Sequence, residues 1–444
     1  MTIWSPRLAE TSEPIYTRIA DALERDVRGG VLMSGSQLPT HRELARELGI
    51  TPVTVTRAYA EAARRGLVES TTGRGTFVRA ARREAAGSHE LDLSANSIAV
   101  PLPAVPRALL ERAGETLLTS AYGNIVGSER HRAAGAAYIG RRTDPARVVV
   151  TSGTQHALFL AFAATTRPGD SVFTESVTYH GAKSIAQLLG LTLVPLQMDR
   201  YGIVPDAFAR ACRSRTSQAR VLYAVPSLHN PTGIVTPEKR RRDLAAVAEK
   251  HGITIIEDDV CGFLLDKTPP PLAAFAPDRT IFVTGLGKAI APAMRVGFLT
   301  APDVLLARVQ PALAATILFT SPMLAELAAT WIEDGTAARI AAQKREEVAL
   351  RNRIARRILG RVTGDVRSSH LWLELPPRWT ADTFAEEARR RRVRVASGTA
   401  FAVGSDVPRA VRISIGAPAT TGDLEAALQI IAGIGSERVQ ETFV

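Results

Sequence analysis

The chain predicts an α/β protein built on a mainly parallel sheet, preceded by a separate small helical module that ends in a β-hairpin. Three observations carry this. From about residue 91, short apolar runs alternate with helical stretches. Before residue 80, three short helices with clear cap signals lead into a glycine-tipped hairpin. Between them, residues 80–90 (Ala-Ala-Arg-Arg-Glu-Ala-Ala-Gly-Ser-His-Glu) are small and polar, with no clear apolar stripe, and read as a linker. The expected domains are therefore 1–79, the linker 80–90, and 91–444. A chain of 444 residues exceeds one ordinary core in any case.

In the first module, Ile15, Ile19, Leu23 and Val27 form one stripe of a helix over 14–28, with Pro14 suited to its first position. Gly29 and Gly30 end it. Thr40 and Glu43 form a capping box for a second helix through Leu44, Ala45 and Leu48, stopped by Gly49. Thr51 caps a third, with Pro52 at its first position and Val53, Val55, Tyr59 and Ala60 inside. The Gly49-Ile50 turn between the two short helices is that of a helix-turn-helix. Strands Val68 to Thr71 and Thr76 to Val78, joined through Gly73-Arg74-Gly75, add a wing with a basic tip.

Residues 51–79 hold five arginines (57, 64, 65, 74, 79) against Glu61 and Glu69, so positive charge falls on the third helix and the wing, where phosphates would sit. Arg57 and Arg74 are the leading candidates. Thr51, Thr54 and Thr56 offer hydroxyls near the helix N-terminus for phosphate or base edges.

Bulk composition adds less. The net charge is +11, but residues 1–80 contribute eleven Arg against nine Asp or Glu. Most of the excess lies in runs such as Lys239 to Arg242 and Arg389 to Arg392, which read as solvated helix faces. Two cysteines, Cys212 and Cys261, argue for a reducing compartment and against a disulfide scaffold or a cysteine metal site. Met1 to Glu13 lacks the pattern of a signal peptide, and no apolar run reaches a membrane span. A cytoplasmic protein is expected, with no metal and no membrane partner.

In the large domain, strand-like runs are Val148 to Val150, Ser171 to Thr174, Thr192 to Leu196, Val221 to Val225, Thr254 to Ile256 and Thr280 to Val283. Helices lie between them, as at 155–165, 180–189 and 237–250. Ligands in such sheets bind at the carboxyl ends of the strands. Gly153-Thr154-Gln155 follows one strand and opens a helix, a place for a phosphate. Asn230-Pro231-Thr232-Gly233 follows another, Glu257-Asp258-Asp259 ends a third, and Lys288 follows a fourth in Thr284-Gly285-Leu286-Gly287-Lys288. A lysine in a glycine-rich turn is suited to desolvation and nucleophilic attack on a carbonyl. Each motif alone also reads as ordinary turn or cap chemistry; their joint order on strand ends makes a site.

Two resemblances follow from these residues. The first module resembles the DNA-binding domain of the GntR family, through Leu38-Pro39, Arg42-Glu43-Leu44-Ala45, Leu48-Gly49, Thr54-Val55, Ala58 and Gly73-x-Gly75-Thr76-Phe77-Val78. That resemblance adds Arg42 and Gly75 to the DNA-contact candidates. Residues 91–434 resemble the fold-type I pyridoxal-phosphate enzymes, the aspartate aminotransferase superfamily, with a small C-terminal α/β domain mainly from about 305 to 444 that includes a strand at His370 to Pro376. Together the two parts look like the MocR subgroup of GntR regulators.

By this resemblance Lys288 forms a Schiff base with pyridoxal 5'-phosphate. Asp258 pairs with the pyridinium nitrogen. Asn230 donates to the ring hydroxyl oxygen and Tyr179 stacks on the ring. Gly153, Thr154, Gln155 and Arg295 hold the phosphate, and Tyr122 reaches it from a neighbouring subunit. Arg412 clamps a substrate carboxylate. The chain departs from the pattern at Cys261, where a tyrosine is usual, at Gly285 and Gly287, where hydroxyls are usual, and at His131, usually leucine. Pro52 stands where the GntR pattern often has arginine. Each lost neutral hydrogen bond costs about 0.5–1.5 kcal/mol, so weaker but persistent cofactor binding is expected, with Thr284 in reach to compensate.

The reading that follows is a regulator that binds an operator of repeated half-sites as a homodimer, head-to-tail by resemblance, and senses the cofactor or an amino compound through aldimine exchange at Lys288. The alternatives are an aminotransferase carrying a fused module, and a scaffold that binds DNA without cofactor.

Overall fold

A computed structural model describes residues 4–6, 8, 14–28, 32, 36–65, 67–71, 75–78, 90–119, 124–140, 143–214 and 219–436. The linker (except Glu90), Arg74 and Tyr122 lie outside them. The chain divides into two compact units, 1–89 and 90–444.

In the first unit, helices α1 (Ile15–Arg28), α2 (His41–Leu48) and α3 (Pro52–Arg64) precede strands β1 (Val68–Thr71) and β2 (Gly75–Val78). Pro14 precedes the first helical position; its carbonyl accepts from Thr17 and Arg18 and so opens α1 as the cap. The apolar stripe is used unevenly. Ile19 and Leu23 are fully buried, while Ile15 at the frayed end is 39% exposed. Both arms of the Thr40–Glu43 capping box are formed, and Gly49 closes α2 in the left-handed region. Thr51 caps α3 by accepting from the Thr54 amide. Strands β1 and β2 pair antiparallel from Val68–Val78 to Thr71–Gly75, and the segment before α2 joins them through a Gln37–Phe77 bridge. The core gathers Ile19, Leu23, Leu44, Val55, Tyr59 and Val78. Trp4 joins it and donates to Asp26 at 2.8 Å, a contact the local pattern gives no sign of.

The second unit is organised on a seven-stranded sheet, in the order Val148–Thr151, Gly297–Thr300, Thr280–Gly285, Thr254–Asp258, Val221–Ala224, Ser171–Glu175, Thr192–Leu196. Only Gly297–Thr300 runs antiparallel to its neighbours. Strands Val148–Thr151, Val221–Ala224 and Thr280–Gly285 are buried along their whole length, which is why they read as continuous apolar runs rather than alternations. One face is covered by helices Thr154–Thr165 and Asp303–Thr316. The other carries Pro205–Arg213 and Glu238–Lys250.

A smaller three-stranded antiparallel sheet of His370–Glu374, Ala410–Ser414 and Ala396–Ser397 has its own core. That core draws in Leu93 from the start of the unit and residues from Ile354 onward. The Leu91–Asp92 strand pairs in parallel with Val393–Arg394. Asp303–Thr316 packs on the large sheet, and the long helix Thr336–Leu359 spans both cores.

The basic run at 239–242 is not wholly solvated either. Arg241 is fully buried and donates to the carbonyls of Thr236 and Pro226 and to the Ser227 hydroxyl. It pins both ends of the loop that carries Asn230.

Candidate functional site

The strand ends converge on one cavity of about 210 Å³ in the second unit, lined by Gly153, Thr154, Gln155, Tyr179, Asn230, Asp258, Lys288 and Arg295, together with Asn96, Cys261 and Lys344. The sequence-predicted residues described here are thus brought to one place. Arg412 joins them from behind Asn230.

Lys288 lies on a one-turn helix, Leu286–Ala289, that continues directly from the strand ending at Gly285. Asp258 is 2% exposed at the end of its strand. The Tyr223 hydroxyl donates to its Oδ2 at 3.0 Å and the Val260 amide to its Oδ1 at 3.2 Å. Burial pushes this carboxyl up, and the Tyr223 and Val260 bonds and the nearby Lys288 offset part of the rise, leaving it at about 6. A cationic ring nitrogen is the kind of partner such a carboxylate lacks among its contacts.

The anion end is built by close approach. Gly153 has φ 87°, and a Cβ there would meet the Arg295 guanidinium at 3.1 Å. Arg295 itself is left-handed (φ 45°), with Nη2 bonded to the Ser152 carbonyl. Glycine at 153 lets the guanidinium stand against the N-terminus of helix Thr154–Thr165, where free amides and a cation face the same cavity. The Tyr179 hydroxyl donates to Gln155 Oε1 at 3.0 Å, tying the ring wall to this end.

Asn230 precedes Pro231 through a cis peptide. Its Oδ1 accepts from Arg412 Nη1 at 2.8 Å, leaving its amide nitrogen for the cavity. Arg412 is 2% exposed, stacks 4.8 Å over Phe401 and also donates to the Ser94 carbonyl. Its Nε is buried with no hydrogen-bond partner among the described residues. Burial pushes the guanidinium down to about 10.

These features fit pyridoxal phosphate: an amine, a buried carboxylate, an amide donor, and a cation at a helix N-terminus, around one cavity, with a further buried cation behind.

The departures resolve unequally. Thr284 does not compensate for the missing hydroxyls, because its Oγ1 donates to the Asp259 carbonyl. The space a side chain at 285 would occupy is taken by Thr154: a Cβ there would lie 2.6 Å from Thr154 Oγ1 and 3.0 Å from Gly297 Cα. Gly285→Ser is therefore expected to overpack the site and destabilise the unit by about 1–3 kcal/mol, read as a lower midpoint in urea unfolding. Position 287 is different, since a Cβ there meets nothing within 4 Å. Cys261 is buried in the cavity wall, and burial raises its thiol. His131 packs against buried Glu326, which also receives Arg130 and Arg112.

Two site residues escaped the sequence reading. Tyr223 could have been found as the polar residue in the apolar strand beside Asp258. Lys344 could not, because it sits in a charged helical run that reads as surface.

On the first unit, Arg42, Thr51, Pro52, Thr56 and Arg57 are exposed on α2 and α3, and Val53 is 68% exposed. Thr51 and Thr54 hydroxyls bond each other at 2.9 Å, and Thr56 bonds His41 Nδ1 at 3.0 Å, so these hydroxyls are oriented as a set. Gly75 opens β2 with φ 112°. Among the described residues, Arg64 and Arg65 differ from Arg57 in having carboxylate partners. Arg65 is held by Asp21, Glu24 and Glu61, and Arg64 by Glu61.

A winged helix-turn-helix and an aminotransferase-type unit with a lysine, a carboxylate and an arginine around one cavity define a class: DNA-binding regulators built on an aminotransferase fold. Residues 15–78 match the family of bacterial regulatory proteins of the gntR type, and 88–431 match aminotransferase class I and II. The chain is 31% identical over 96% of both chains to the uncharacterized HTH-type transcriptional regulator YdeF of Bacillus subtilis. It is 28% identical to the HTH-type pyridoxine biosynthesis transcriptional regulator PdxR of Corynebacterium glutamicum, over 65% of this chain and 66% of that one. Among solved structures, an archaeal alanine:glyoxylate aminotransferase has the same fold (TM-score 0.71, 22% identity, 79% of this chain and 91% of that one). So does LysN, an α-aminoadipate aminotransferase from Thermus thermophilus (TM-score 0.69, 22% identity, 85% and 97%). The chain belongs to the GntR family of transcriptional regulators, in its MocR-type branch with a class I and II aminotransferase domain.

Among the described residues no helix is long and apolar enough to cross a membrane, and no group of His, Cys, Asp or Glu could hold a metal ion.

Proposed function

We propose that this regulator carries pyridoxal 5'-phosphate on Lys288 and reads an amino compound through that link. The observation that carries the reading is the single cavity holding Lys288, Asp258, Asn230 and Arg295. When bound, the cofactor supplies an aldehyde that exchanges between amines. Lys288 provides the resident amine and yields its place to the ligand's. Asp258, fixed by Tyr223, holds the ring nitrogen. Asn230 donates to the ring oxygen. Tyr179 covers one ring face, and Gly153, Thr154, Gln155 and Arg295 take the phosphate, with Tyr122 supplied by a second subunit. Arg412, with an unbonded buried Nε, is suited to a ligand carboxylate.

Arg42, Thr51, Thr54, Thr56, Arg57, Arg74 and Gly75 face DNA, and a head-to-tail homodimer places two modules on repeated half-sites. The regulator reading is favoured over a metabolic aminotransferase because the complete winged helix-turn-helix, with its capped helices and exposed Arg42 and Arg57, serves no catalytic purpose. The test is borohydride treatment of cofactor-loaded protein followed by peptide mapping. A reduced adduct on Lys288 supports the assignment; an adduct confined to other lysines refutes it.

A further inference from the structure

Lys344 is a charged group of the cavity wall that the site above leaves without a role; the other charged residues there are Asp258, Lys288 and Arg295. It is 2% exposed on the long helix Thr336–Leu359. Its Nζ donates to the carbonyl oxygens of Lys288 and Ile290, each at 2.7 Å. Both carbonyls lie at the C-terminal end of the one-turn helix that bears Lys288, where backbone acceptors lack helical partners and a cation is favoured. Burial alone pushes the Lys344 amine down to about 8. An ammonium buried on carbonyls rather than a carboxylate carries a desolvation cost that its two bonds must offset. One turn further along the same helix, Val348 packs in a cluster with Cys261 and Ile98, which also line the cavity. Beyond it, Arg351 and Asn352 bond the carbonyls of Ile415 and Ser368.

We propose that Lys344 is a positioning residue for Lys288: it fixes the backbone of the reactive lysine through two carbonyls and keeps a second positive charge in the wall of the same cavity. This rests on the reading that Lys288 carries the cofactor.

The test loads the full chain and its Lys344→Met and Lys344→Arg variants with pyridoxal phosphate and follows the visible band against pH. Removing the charge makes the lysine-linked nitrogen easier to protonate, so the Met variant's midpoint rises by roughly half a unit or more. Its cofactor retention falls roughly tenfold as the helix bearing Lys288 loses its anchor. The Arg variant returns the midpoint toward wild type. The melting temperature of cofactor-free Lys344→Met reports only the balance between the buried charge removed and the two carbonyls left without a donor, so the midpoint carries the decision. A lysine with a purely structural role would leave the midpoint in place whatever the melting temperature does, and that result overturns the proposal. If Lys344→Met does not fold, Lys344→Gln is read against the same two expectations. A wild-type chain with no band defeats the functional reading itself; a wild-type band with an unshifted variant midpoint defeats only the role of Lys344.

Discussion

Lys288→Met is expected to abolish the visible band and the borohydride adduct while leaving the fold intact. Methionine fills a similar volume, and the two bonds from Lys344 go to backbone carbonyls that the substitution does not touch. What remains for the cofactor is Arg295, the helix N-terminus, Asp258 and Asn230, all non-covalent. Retention should therefore fall roughly 100-fold or more, equivalent to about 2.7 kcal/mol. Because a ligand that binds only the native state stabilises it in proportion to its occupancy, the rise in melting temperature on adding cofactor should shrink in the same variant. Equilibrium dialysis and a thermal scan check both. A variant that keeps wild-type retention would mean that the cavity holds the cofactor without Lys288.

The second large effect lies in the other unit. The double variant Arg42→Ala/Arg57→Ala should weaken DNA binding across sequences and reduce the slope of log affinity against log salt by about 1 for each arginine in each bound module. Arg65→Ala is the control. Its guanidinium is occupied by Asp21, Glu24 and Glu61, so its loss should leave the salt slope nearly unchanged and lower the melting temperature of the module instead. Filter binding or fluorescence anisotropy over a salt series separates the two. Equal slopes for wild type and the double variant would remove Arg42 and Arg57 from the phosphate set.

The contrast between Arg57 and Arg65 also shows what the sequence could and could not carry. Caps, turns and buried strands are local chemistry, and they were legible. The Thr40–Glu43 box and the Thr51 cap stand where their residues imply, and the strands expected to end at Val150, Ile256 and Val283 run one or two residues further, to Thr151, Asp258 and Gly285. The fate of a charged side chain depends on partners far along the chain, and those were not. Arg65 meets Asp21, 44 residues away. Arg241 sits in a basic helical run and Lys344 in a charged one, yet both are buried, because each meets backbone carbonyls brought in from other segments and Arg241 also pairs with buried Glu257. The glycine at 285 looked like a lost hydroxyl, but three-dimensional packing gives that space to Thr154. The core of the small subdomain likewise recruits Leu93 from the beginning of the unit beside long-helix residues from Ile354 onward, a pairing that no local pattern carries.

The central claim is that the state of Lys288 and the affinity for DNA are one equilibrium. The direct test loads the protein with pyridoxal phosphate, selects an operator from random duplexes, and titrates amino carboxylates while reading the visible band and DNA binding together. Coupling predicts that one compound changes both signals with a common midpoint, and that saturating DNA shifts that midpoint by the same factor by which the compound shifts operator affinity. A band that responds fully to an amino compound while operator affinity stays constant would contradict the account and leave the second unit an aminotransferase-like domain uncoupled from the first.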